Sequence, residues 1–263
     1  MTTTIQDVID TILGRIPGGR LDETVDTVKC GDPTQTVTGI VTTFLASYDV
    51  IEEAVKLGAN FIITHEPTFY NHLDDVAEFE GHAVYEAKRR LLDENQIVVW
   101  RFHDHWHRHV PDGISTGVVR ALGWEAYADA GDGPVFSIPA TTVGELAAGV
   151  KAKLGIDTVR IVGDLEMPCR NVALMVGAPG GHWQTGILNR EGVEVLLTGE
   201  IHEWETSEYV RDAVAQGRKK ALIVLGHVQS EEPGMAYLVE WLHPLVPAVP
   251  ITHVPVGSAF TYV

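Results

Sequence analysis

Cysteine is nearly absent from this chain. Only Cys30 and Cys169 occur in 263 residues, and neither belongs to a CxxC pair. Neither a disulfide framework nor a thiolate zinc knuckle is therefore indicated. Long apolar runs are missing as well, since none approaches the ~20 residues that a bilayer-spanning helix needs. Residues Met1 to Asp10 lack a basic-then-apolar leader pattern, so the expected location is cytoplasmic. Positive charge is scarce, with 19 Lys and Arg against 36 Asp and Glu and a formal charge of -17. A surface of that sign repels phosphate backbones and anionic lipid, which argues against nucleic-acid and membrane partners. The basic runs Lys88-Arg89-Arg90 and Arg218-Lys219-Lys220 read as solvated helix ends. The nucleophile elbow G-x-S-x-G and the kinase and Walker patterns do not occur.

The remaining composition is that of an ordinary globular protein, 45% hydrophobic and 21% charged. Short apolar runs at Phe61 to Thr64, Ile97 to Phe102, Val172 to Val176, Val193 to Thr198 and Ala221 to Leu225 predict strands covered on both faces. Helical faces are expected from Ile51, Ala54, Val55 and Leu57, from Val84, Ala87 and Leu91, and from Tyr209, Ala213 and Val214. Another is formed by Leu146, Val150 and Leu154, preceded by Thr142 and Glu145 in capping-box spacing. Alternating strand and helix signals give an α/β fold. The Ala-, Asp- and Gly-rich stretch from Ala128 to Pro134 suggests two α/β lobes, residues 1–126 and 127–263. Leu242 to Val256, rich in Pro and Val, reads as an extended closing segment. The loop Gly177 to Gly181 matches no phosphate-binding fingerprint and reads as a turn.

Histidine is plentiful. Of twelve, His103, His105, His107 and His109 crowd one short segment. More telling are the residues at the end of each apolar run. Phe61 to Thr64 leads into His65-Glu66-Pro67, and Ile97 to Phe102 leads into His103-Asp104-His105-Trp106-His107. Val193 to Thr198 leads into Gly199-Glu200-Ile201-His202-Glu203, and Ala221 to Leu225 into Gly226-His227, with Glu231 shortly after. Ligands of α/β sheets bind at the carboxyl ends of strands, and imidazole with carboxylate is a donor set for divalent zinc, manganese or iron. Two ions ~3.5–4 Å apart would use several such groups. Singly, His65 reads equally as ligand or hydrogen-bonded structural histidine, and Glu66 equally as ligand or turn cap. Pro67 disfavours helix at Glu66 and keeps that strand end extended. His103 with His107, and His227 with Glu231, have the i, i+4 spacing that puts two donors on one helical face, against a solvated loop. His105 and His109 face elsewhere on such a helix, and Asp104 is placed to orient an imidazole. Glu200, His202 and Glu203 carry a weaker signal, since Gly199-Glu200 also reads as a helix entry. Trp106, Trp183 and Trp204 lie near these motifs, either as core packing or as a wall for a planar ligand.

Taken in order, Gly58 to Pro67, His103 to His107, Leu197 to His202 and Gly226 to Glu231 resemble a known family. It is the dinuclear-metal-centre, ring-forming hexameric family named for an NGG-interacting factor and often labelled GTP cyclohydrolase I type 2-like. The resemblance covers most of the chain and implies two α/β lobes with mixed sheets, a metal site at strand ends between them, and a toroidal homohexamer. It also implies metal ligands at His65, Glu66, His103, His107, His227 and Glu231. Two positions depart from the family pattern. The first motif usually has a second histidine where Glu66 stands, and the second motif usually has Asp where His107 stands. The two departures exchange His for carboxylate and back, so ligand count and total charge are kept. The resulting expectation is a metal-dependent hydrolase whose two divalent ions activate water against a small cyclic C–N or phosphoester substrate, with Glu200 and His202 as catalytic proton-transfer groups. The competing readings are a non-catalytic metal-binding or regulatory scaffold, and a one-metal hydrolase.

Overall fold

The computed structural model describes residues 2–128 and 133–263. Residues 129–132, the middle of the stretch from Ala128 to Pro134, lie outside the described residues. The strands described are β1 (Val28–Cys30), β2 (Ile40–Thr43), β3 (Phe61–Thr64), β4 (Val98–Arg101), β5 (Val135–Thr142), β6 (Arg160–Val162), β7 (Pro168–Met175), β8 (Val195–Thr198), β9 (Ala221–Val224) and β10 (Ile251–His253). The helices are α1 (Ile5–Leu13), α2 (Tyr48–Lys56), α3 (Ala83–Glu94), α4 (Asp104–Arg108), α5 (Gly113–Leu122), α6 (Val143–Leu154), α7 (Gly181–Leu188), α8 (Glu208–Ala215) and α9 (His227–Leu242). The fold is α/β with two mixed five-stranded sheets. No helix among the described residues is long and apolar enough to cross a membrane.

Two compact units make up the chain, Met1–Gly117 with Gly234–Val256, and Val118–Pro233 with Gly257–Val263. The sequence suggests a single boundary near residue 126, whereas the described chain crosses between units within α5 and returns within α9. The reason is β10, which pairs parallel with β2 and so belongs to the first sheet.

The first sheet has the order β1-β4-β3-β2-β10. β2, β3 and β4 are buried at every residue, as expected of parallel strands covered on both faces. β3 and β4 run parallel with Thr64 opposite Arg101, so His65 and His103 leave the sheet side by side. The second unit repeats the device. Its sheet has the order β5-β7-β8-β9-β6, with Thr198 opposite Val224, so Gly199 and Gly226 emerge from adjacent strands.

Helix faces divide between agreement and correction. α6 buries Val143, Leu146, Ala147 and Val150 behind the Thr142–Glu145 capping box, as its spacing predicts. α2 buries Val50, Ile51 and Ala54, while Val55 and Leu57 are exposed. α8 buries Val210 and Ala213, with Tyr209 and Val214 at its exposed edge. In α3 the buried stripe is Tyr85, Lys88 and Leu92, and Val84 faces solvent. A charged residue in the middle of that stripe hid it from an apolar pattern. Lys88 is thus no solvated helix end. Its Nζ donates to the Thr68 carbonyl at 2.5 Å and lies over the Phe69 and Tyr70 rings at 5.7 and 5.1 Å.

Burial pushes the Lys88 ammonium down to about 8 from its ordinary 10.5, against the attraction of Asp74. The folded chain sheds this proton before the unfolded chain does. The penalty of the charge is full below about pH 8 and fades as pH climbs towards 10.5, so stability rises across that window. Lys88→Met removes the effect. Denaturant titrations should show wild type gaining up to about 3 kcal/mol on the variant as pH rises across this window. A pH-independent gap contradicts the expectation.

Candidate metal centre

In the first unit the site begins where β3 and β4 end. His65 and Glu66 are pinned by their backbone N–H groups, which donate to the Phe44 carbonyl just beyond β2 at 3.0 and 2.7 Å. Phe102 N–H donates to Thr64 O at 2.8 Å, which fixes the exit of β4 beside that of β3. The chain then turns into the short α4, and His107 N–H bonds His103 O at 3.0 Å, one helical turn apart. The helical alternative for this segment therefore holds. The consequence is a cluster of three imidazoles. Ring centroids lie 4.5 Å apart for His65–His103, 4.9 Å for His65–His107 and 4.9 Å for His103–His107. One nitrogen from each ring lies within 4.8 Å of the other two.

Every ring of this trio has its Nδ1 against an oxygen acceptor. His65 Nδ1 is 3.4 Å from Phe102 O, His103 Nδ1 is 2.9 Å from Asp104 Oδ1, and His107 Nδ1 is 2.7 Å from Asp112 Oδ2. An acceptor at Nδ1 places the proton there and the lone pair on Nε2, the arrangement of liganding histidines. Burial holds the His65 ring well below the usual imidazole range, and the neighbouring His103 and His107 push it further. Neutral imidazole is the form that donates to a metal. Asp104 is tuned the other way. Burial alone would raise its pKa, yet hydrogen bonds from Thr24 Oγ1, His103 and the Val25 N–H outweigh it and hold the carboxyl at about 2. It stays ionised and orients His103, as its position suggests.

Beneath the trio lies Asp26, which the sequence gives no reason to single out. Its Oδ1 accepts from the N–H groups of His103 and Asp104 at 2.7 and 3.0 Å, and its Oδ2 from His105 N–H at 2.8 Å. The same Oδ2 meets His105 Nδ1 at 2.6 Å. Leu21 N–H donates to His105 Nε2 at 3.2 Å, so the Nδ1 proton points to Asp26. His105 is thus a buried anchor of α4 and not a member of the trio. His109 bonds Pro111 O through Nδ1. Trp106 is fully buried, stacked between Phe102 and Tyr237, so it forms no ligand wall.

Glu66 is held by Arg101. Its Oε2 accepts from Arg101 Nη2 at 3.0 Å, and its Oε1 lies 3.6 Å from His103 Nε2.

The second unit groups Glu200, His227 and Glu231. His227 opens α9, and its Nε2 lies 3.1 Å from Glu231 Oε2 one turn later. Its Nδ1 lies 3.6 Å from Glu200 Oε1. Glu231 is buried against Gly177, whose φ of 67° is left-handed. A Cβ at Gly177 would fall 2.1 Å from Glu231 Oε1. Ser230 Oγ fastens this turn by accepting from Gly177 N–H at 2.9 Å and donating to His227 O at 2.8 Å. His202 turns towards Glu205 Oε2 at 3.1 Å and stacks on Trp204. Glu203 pairs with Arg160. Trp183 and Trp204 are 66% and 74% exposed, unlike Trp106.

Residues missed by sequence reasoning are Asp26, Asp112, Thr24 and Arg101. Asp112 alone had a local signal, five residues beyond His107 in a turn that precedes α5.

The two units define an α/β protein whose strand ends carry His and carboxylate groups. Residues 3–256 match the family Duf34/NIF3 (NGG1p interacting factor 3), and the chain belongs to it. It is similar to the Clostridium perfringens protein named "GTP cyclohydrolase 1 type 2 homolog", with 26% identity over 241 residues, 87% of each chain. A Salmonella typhimurium protein of the same name is 28% identical over 218 residues, covering 80% of this chain and 81% of its own. Among solved structures, the Staphylococcus aureus hypothetical protein SA1388 aligns with a TM-score of 0.78 at 18% identity and full coverage of both chains. A Bacillus cereus protein related to NIF3 aligns with the same TM-score at 16% identity, covering 100% of this chain and 99% of its own. These two likenesses bear on the fold.

Proposed function

We propose that this protein is a metal-dependent hydrolase acting on a small cyclic C–N or phosphoester substrate in the cytoplasm, as a homo-oligomer. We assign His65, Glu66, His103, His107, His227 and Glu231 as ligands for two divalent ions, zinc, manganese or iron. The observation that carries this reading is the trio of imidazoles with every Nδ1 committed to an oxygen acceptor. That donor chemistry fits a divalent cation, and a set without thiolate suits hydrolysis. When bound, such ions supply Lewis-acid chemistry, polarising the substrate and acidifying water.

The chain's own groups do the rest. Asp104 and Asp112 hold His103 and His107 in register by accepting their Nδ1 protons. Glu200, whose Oε1 lies beside His227 Nδ1, is an exposed carboxylate suited to accept a proton. His202, hydrogen-bonded to Glu205, is the second proton-transfer group. The net charge of -17 favours a small-molecule substrate over a nucleic acid.

The test joins metal analysis with turnover. Protein grown with metals and dialysed against a chelator should retain at least one ion per chain, and less than one sinks the reading. Metal-loaded wild type is then screened against phosphoesters, cyclic amides and purine nucleotides, with His65→Ala as the control. Turnover lost in that variant supports the hydrolase. Bound metal with no turnover on any compound selects the scaffold instead.

A further inference from the structure

Arg101 is fully buried at the end of β4, where a guanidinium needs a compensating anion and saturated donors. Its three nitrogens are each used. Nε donates to His65 O at 3.0 Å, Nη1 to His72 O at 2.6 Å and Nη2 to Glu66 Oε2 at 3.0 Å. Two of these bonds grip the very residues that open the metal motif. The Nη2 bond fixes one carboxylate oxygen of Glu66, so that Oε1 is the oxygen turned to His103.

Resting on the metal reading above, we propose that Arg101 is a positioning residue that confines Glu66 to one-oxygen donation. An ion held by His65, His103 and His107 would then take a single oxygen of Glu66 as its fourth donor. Chelation of an ion by both Glu66 oxygens would take Oε2 from a buried guanidinium and leave that charge without its anion. The guanidinium thereby keeps the donor set rich in nitrogen and low in coordination number. Three histidines and one carboxylate oxygen suit zinc, whereas manganese and magnesium favour oxygen-rich octahedra. It also accounts for the glutamate at position 66. A histidine there would leave the Arg101 charge buried without its anion.

The test is spectroscopic and needs no substrate. One equivalent of cobalt(II) per chain is added to metal-free wild type, and zinc and manganese are competed in parallel. Wild type should give the intense visible bands of four-coordinate cobalt. Arg101→Met frees Glu66 Oε2, so the bands should weaken as coordination rises, and the preference for zinc over manganese should fall by about tenfold or more. Arg101→Lys, which keeps charge without the fork, should lie between. Weak, six-coordinate bands in wild type overturn this inference alone, whether or not the variants fold. So do unchanged bands and unchanged competition in a folded Arg101→Met. Wild type that binds no cobalt overturns the metal reading and this inference with it.

Discussion

Asp26→Ala should lower the stability of the first unit by about 3–5 kcal/mol, the largest loss expected from any single carboxylate here. Four hydrogen bonds vanish together, from the N–H groups of His103, Asp104 and His105 and from the His105 ring. Three of them cap α4, whose first N–H groups have no partner within the helix. The fourth leaves an imidazole buried without its acceptor, which is costlier than losing an exposed bond. α4 carries His107 and is entered from His103, so the imidazole trio should loosen along with it. Denaturant unfolding of the whole chain measures the first effect, and zinc affinity measures the second. Asp26→Asn, which keeps one oxygen acceptor, should fall between. A loss below about 1 kcal/mol for the alanine variant would show that the cap is dispensable.

Gly177→Ala should have the corresponding effect in the second unit. The new methyl would sit 2.1 Å from Glu231 Oε1 and 2.8 Å from its Cδ, contacts that cannot exist. Left-handed backbone costs a non-glycine residue roughly 1–2 kcal/mol, and forcing the buried carboxylate aside adds about 1–3 kcal/mol. Glu231 must swing away from His227, so bound metal per chain should drop as well as the melting temperature. Gly186→Ala in α7 is the control, since no atom stands near its added methyl. Alanine in a helix interior should raise stability there by about 0.5–1 kcal/mol. Equal effects from the two substitutions would remove the special role of Gly177.

What was legible in the sequence was local. The β3 range is read directly from Phe61 to Thr64, and the four strand-end motifs emerge where apolar runs meet His and carboxylate. His103 and His107 share a face because they are one helical turn apart, which spacing alone can state. What was illegible was set by residues distant in the chain. Asp26 reaches His105 across 79 positions and Thr24 reaches Asp104 across 80, and no periodicity records such pairs. Arg101 looks like an ordinary strand residue until the parallel register puts Thr64 opposite it. The face of α3 failed for a different reason. A pattern that counts apolar residues cannot find a stripe centred on the ammonium of Lys88. Trp106 failed as a ligand wall because an aromatic next to a motif is equally an aromatic under it.

The position of β10 sets the order in which the molecule can be completed. Ribosomes deliver the chain from its N-terminus, at roughly 5–20 residues per second. The sheet begun by β1 to β4 must therefore wait until Ile251–His253 is made before β2 gains its outer neighbour. By then β5 to β9 have all been synthesised. Until β10 docks, the outer edge of β2 is unpaired, and a bare edge of that kind is open to pairing with a stray strand.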